Sequence, residues 1–117
     1  MRRRQFLLGA MALTLGQATT VPFAFAADDH IAQAIDQINK AIPFGEQPHQ
    51  SASFVQHIDN AIDHAMMAER ARSTRNVKRA VALLRRARRT AYGTHLLSYS
   101  RRAAHLAQKA LSDVQKG

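Results

Sequence analysis

From Ile31 to Val114 the apolar residues recur every three or four positions, with no sustained alternation. That period belongs to helices presenting one face to a core, and it excludes a half-buried sheet. Ile31, Ile35, Ile38 and Ile42 form a first stripe. Phe54, Ile58, Ala61, Ala65 and Ala68 form a second, with Val55, Ile62 and Met66 beside it. Val77, Val81, Leu84 and Ala91 form a third, flanked by Ala80, Leu83 and Ala87 and interrupted by Arg88. Leu97, Ala104 and Leu111 form a fourth, with Leu96, Ala103, Ala107, Ala110 and Val114 on the neighbouring face.

Local signals divide these stripes. Asp28 or Asp29 can cap the first helix, and Pro43 with Gly45 is expected to end it after about a dozen residues. The second helix is expected to open near His49 to Ser53. Ser73, Thr74 and Asn76 break the pattern and offer a cap for the third, Gly93 stops it, and Thr94 is the expected cap of the fourth. The connections are too short for parallel β crossovers, and short helix–helix loops make sequential helices antiparallel neighbours. The expectation is an all-α protein: an antiparallel up-down-up-down four-helix bundle built from two helix pairs. Alanine on the inward faces implies close helix approach. The order of helix, glycine-containing loop and histidine-started helix occurs in residues 30–72 and again in 77–115, so His49 corresponds to His95.

Residues 1–26 have a different character. Arg2, Arg3 and Arg4 precede a short uncharged apolar run from Phe6 to Leu15, and Ala24-Phe25-Ala26 places small residues where a signal peptidase reads them. This is the pattern of a secretory signal peptide. Arg3-Arg4-Gln5-Phe6-Leu7 also matches a twin-arginine export signal. Gly9, Gly16, Gln17, Thr19, Thr20 and Pro22 dilute the stretch too much for a membrane anchor, which needs about 20 continuous apolar residues. The expected organisation is a cleaved leader over 1–26 and a bundle domain over 27–117, exported to the periplasm of a bacterium.

The chain has no cysteine. Disulfide staples, c-type haem, iron–sulfur clusters and thiolate zinc sites are therefore excluded. Charge is unevenly spread. Ala27 to Glu69 carries one base, Lys40, against seven acids. Arg70 to Gly117 carries thirteen bases against one acid, Asp113. The two halves attract each other, and the surplus of cations offers a surface to an anionic partner.

Six histidines, His30, His49, His57, His64, His95 and His105, are many for a chain of this size. Imidazole ligates copper, nickel and zinc well, with carboxylate as support. His57 and His64 lie about 10.5 Å apart along one helix, too far to share an ion. A site must therefore combine histidines from different helices. His49 and His95 open parallel-running helices and are expected at one end. His57 and His105 are expected at comparable heights. No HExxH or i, i+4 ligand pair occurs.

The pattern His49-x7-His57-x6-His64-Ala65, followed by Thr94-His95 and Ala103-Ala104-His105-Leu106-x3-Ala110, resembles the small metal-binding protein family of His-rich periplasmic four-helix bundles. The resemblance runs from His30 to about Leu111. It implies binding of divalent ions, copper above all and also nickel or zinc, for buffering or tolerance. His30, His49, His57, His64, His95 and His105 would be the ligands. The third helix departs from that pattern, carrying Lys78, Arg79, Arg85, Arg86, Arg88 and Arg89 where histidines and acids are expected.

A second function class is a cationic helical module for an anionic partner, whether envelope lipid, polysaccharide or acidic protein. The expected compartment and the presence of only Tyr92 and Tyr99 for stacking disfavour nucleic acid. Enzymatic activity is not expected: no nucleophile elbow, glycine-rich phosphate loop or acid–base pair is present.

Overall fold

The computed structural model describes residues 23–117, which form four helices: α1 (Phe23–Gly45), α2 (Ser51–Ala71), α3 (Arg75–Ala91) and α4 (Leu97–Lys116). There is no strand among the described residues. Each helix packs on its neighbours in a ring: α1 against α2, α2 against α3, α3 against α4, and α4 back against α1. With short turns between them, this is the expected up-down-up-down bundle. Residues 1–22, most of the expected leader, lie outside the described residues. The expected processing point after Ala26 falls inside the first turn of α1.

The core explains the tight packing. Thirteen of the twenty-three buried apolar residues are alanine, with Phe54, Ile38, Ile58, Leu84, Val77 and Val114 as the largest enclosed side chains. A methyl group fills little space, so the helix axes must draw together until the larger residues interlock. Most residues of the four expected stripes line this core; Leu96, expected on the inward face of the fourth, is instead 58% exposed because it precedes the helix at its cap position. Ile31, Ile35, Ile42, Leu83 and Leu111 pack at its rim.

The end signals of α1 and α4 act otherwise than expected. The first helix is the longest, at 23 residues, because it runs through Pro43 instead of stopping there. Pro43 has no N–H for the Asn39 carbonyl, and the helix persists because packing on two neighbours outweighs that loss. The chain leaves the helix through two tight turns, with Glu46 N–H on the Pro43 carbonyl and Gln47 N–H on that of Phe44. Asp28 and Asp29 are interior to α1, not caps. Asp28 pairs with Arg72, and Asp29 accepts from Gln33.

Thr74 caps α3 as expected, its hydroxyl accepting the Val77 N–H at 3.2 Å. Gly93 ends the α3 turn in the left-handed region, φ 72°. Thr94 does not cap α4. Its hydroxyl accepts the Leu96 N–H, and Leu96 itself occupies the cap position with no side-chain bond.

Gly45 serves packing. A Cβ there would stand 2.8 Å from the Cβ of Ala104 and 3.0 Å from the Ser100 carbonyl oxygen. Both belong to α4, so the missing side chain lets α1 and α4 approach closely here. Arg88, which interrupts the third stripe, reaches sideways to Asp59 at 2.6 Å.

Gly45→Ala should destabilise the bundle by about 1–3 kcal/mol, the range for forcing a methyl into a filled core. Thermal or denaturant unfolding measures it; unchanged stability would show that α1 and α4 can separate without loss.

Candidate metal centre

The antiparallel contact of α1 with α2 creates a rim along its length. His30, Gln37, His57 and His64 each precede a core or core-packed residue, namely Ile31, Ile38, Ile58 and Ala65. Each side chain therefore leaves the edge of the buried stripe and lies half-buried along the seam.

At the end of the bundle where α2 finishes, this places His30 against His64. Their Nδ1 atoms are 3.5 Å apart, with ring centroids at 5.7 Å and planes inclined by 28°. The two residues are 34 positions apart in sequence, so the pair is made only by folding. Metal–nitrogen bonds of about 2.0–2.1 Å would join two such nitrogens at an angle of roughly 115°, close to trigonal or tetrahedral. His30 also lines a cleft of about 330 Å³ with Met67 and Arg70. Met67 is three residues beyond His64 on α2, the spacing that puts both on one face. It is 40% exposed, so it is not the core filler that an alanine-rich helix suggests. The sequence alone reads this thioether as core filler and does not place it beside His64. The i, i+3 spacing from His64 was the available signal.

Further along the seam His57 has a structural engagement. Its Nδ1 lies 2.9 Å from Gln37 Oε1, and its ring stacks on Phe44 at 5.6 Å with planes 6° apart. The amide oxygen accepts, so Nδ1 carries the proton in this arrangement. His57 does not meet His105. α2 and α4 lie diagonally across the bundle, and His105 is exposed on α4 with no ring or hydrogen-bond contact to another histidine among the described residues.

His49 and His95 do come to one end, as the parallel run of their helices requires. Their ring centroids are 6.3 Å apart and tilted by 45°. Both belong to turns and not to helix starts. His49 holds a left-handed φ of 62°, and the two turns are tied by the Ser51 hydroxyl donating to the Thr94 carbonyl at 2.8 Å. His95 lines a cleft of about 580 Å³ between α2 and α3, shared with Val55, Asp59, Arg88 and Tyr92.

The six histidines are thus distributed as two pairs, one engaged ring and one exposed ring. Among the described residues, no three side chains of His, Cys, Asp or Glu converge on one point. Ion pairs stand between the helices: Arg72 to Asp28, Arg88 to Asp59, Arg79 to Asp113 and Arg101 to Glu46. The opposite charges of the two halves are partly consumed there. Asp113 is the buried partner, its side chain 10% exposed.

His57→Ala should remove the Gln37 hydrogen bond and the Phe44 stack, costing about 1–2 kcal/mol of stability. Denaturant unfolding reads this, and a wild-type midpoint would mean that the ring contributes nothing to the α1–α2 seam.

Comparison with family models, with curated proteins and with solved structures finds no match to this chain.

Proposed function

We propose that this protein binds a transition-metal ion, copper foremost and nickel or zinc more weakly, as an exported buffering or tolerance protein without catalytic activity. The observation that supports the reading is the approach of His30 Nδ1 to His64 Nδ1 from different helices at 3.5 Å. Two converging imidazoles with an exposed thioether, Met67, in the adjoining cleft form a ligand set of the softness that Cu(I) selects. The resemblance of the histidine pattern to the small metal-binding proteins agrees with it. His49 and His95 form a second, looser pair at the other end of the bundle.

Arg70, which lines the same cleft, opposes the incoming cation. Its head is exposed and screened by solvent, so the opposition is modest. Imidazole ligates only in its unprotonated form, so acid competes with the metal for the ring nitrogens and metal uptake falls on acidification.

Competition with a chromophoric Cu(I) chelator tests the proposal. His30→Gln and His64→Gln should each weaken Cu(I) by at least about tenfold, the cost of losing one of few ligands. Met67→Leu should weaken Cu(I) while leaving Ni(II) nearly unchanged, and His105→Gln should change neither. Equal losses from His105→Gln and His64→Gln would mean that copper collects on scattered surface imidazoles, and the proposed centre would fall.

A further inference from the structure

The cationic surplus that α1 and α2 leave uncompensated has a built location at the α3–α4 turn. Arg89 and Arg102 flank a cleft of about 490 Å³ whose other walls include Thr90, Tyr92, Thr94 and Tyr99. Neither arginine is in an ion pair among the described residues. The guanidinium of Arg102 lies 5.3 Å above the Tyr99 ring, and that of Arg88 5.0 Å above the Tyr92 ring. The Tyr99 face holds the Arg102 cation at the rim of the cleft, while Arg88, bonded to Asp59, lines the neighbouring cleft between α2 and α3.

The same end carries the exposed apolar groups. Tyr92, Leu96 and Tyr99 are 65%, 58% and 42% exposed, and among the described residues the one other large hydrophobic so exposed is Met67 in the opposite half of the bundle. Leu96 projects from the cap position of α4, between the two tyrosines in sequence. The nearby carboxylates Asp59 and Glu46 are already matched to Arg88 and Arg101, so among the described residues no unpaired acid opposes an anion there.

We infer that the α3–α4 turn is a docking surface for an anionic phospholipid bilayer. The cleft guanidiniums donate paired N–H bonds to lipid phosphate oxygens. Tyr92 and Tyr99 suit the headgroup level, where amphipathic rings collect. Leu96 reaches the acyl boundary while the arginine stems lie along it. No described helix is long and apolar enough to cross a membrane, so the contact is peripheral. The inference is independent of metal binding, because His30 and His64 lie in the other half of the bundle.

The chain supplies its own reporter. Tyr92 and Tyr99 are its two tyrosines and it has no tryptophan, so intrinsic emission above the phenylalanine band comes from this cleft alone. The full chain is mixed with vesicles of phosphatidylcholine, with or without phosphatidylglycerol. Co-sedimentation and acrylamide quenching of tyrosine emission are then read. Binding and protection from quencher are expected only with phosphatidylglycerol.

The double variant Arg89→Gln/Arg102→Gln should lower the partition coefficient by well over tenfold, at roughly fivefold per arginine near an anionic surface. Arg75→Gln/Lys78→Gln removes equal charge from the far end of α3 and should cost much less. Leu96→Ser should weaken binding several-fold with charge unchanged. Equal losses from the two double variants, or no effect of Leu96→Ser, would reduce the contact to diffuse charge attraction and overturn the inference. Binding to neutral vesicles as tight as to anionic ones, or inorganic phosphate protecting the tyrosines as fully as vesicles do, would overturn it as well.

Discussion

The short distance between helix axes is the constraint on which the molecule rests. A core made mostly of methyl groups has little apolar area per residue, so its stabilisation depends on many contacts at close range. The few large side chains, Phe54, Ile38, Ile58 and Leu84, then lock the register by filling what the alanines leave. Gly45 is the extreme case, where even a methyl group is too large. The seam between α1 and α2 follows directly. Because these two helices lie so near, residues at the edge of the stripe meet across it, which is how His30 reaches His64 and His57 reaches Gln37.

The fold was legible in the sequence because the helical period is carried by nearly every apolar residue. The third helix shows this well: Val77, Ala80, Val81, Leu84 and Ala87 are all buried, and Thr74 caps it. The errors lie where tertiary contact overrules a local signal. Pro43 disfavours helix at its own position, but α1 is held on both sides and continues through it. Thr94 has the chemistry of a cap, yet its hydroxyl closes the turn before α4 instead.

The candidate site was less legible. Pairing His49 with His95 needed only the direction of the helices, which the loop lengths supply. Pairing His30 with His64 needed the rotation of α1 about its own axis and its true length. A first helix of a dozen residues puts His30 at its start, where a solvated side chain is the ordinary outcome. His57 and His105 were matched by height alone; height does not reveal that two helices are diagonal. Met67 is expected to be core filler, as methionine in an alanine-rich helix usually is, and its exposure depends on which side of α2 the core occupies.

The four interhelical ion pairs have a bearing on chirality. Rods lined with small residues can be wound around a common centre in either sense with much the same area enclosed. Asp59 stands on the flank of α2 that faces α3, and Asp28 on the flank of α1 that Arg72 reaches. Reversing the winding exchanges those flanks, so each carboxylate would look toward the wrong neighbour and Asp113 would be shut in without its guanidinium. Burial of an unmatched charge is far costlier than loss of an exposed pair. The arginines that mark the second half of the chain thus help select one hand of the bundle over its mirror arrangement.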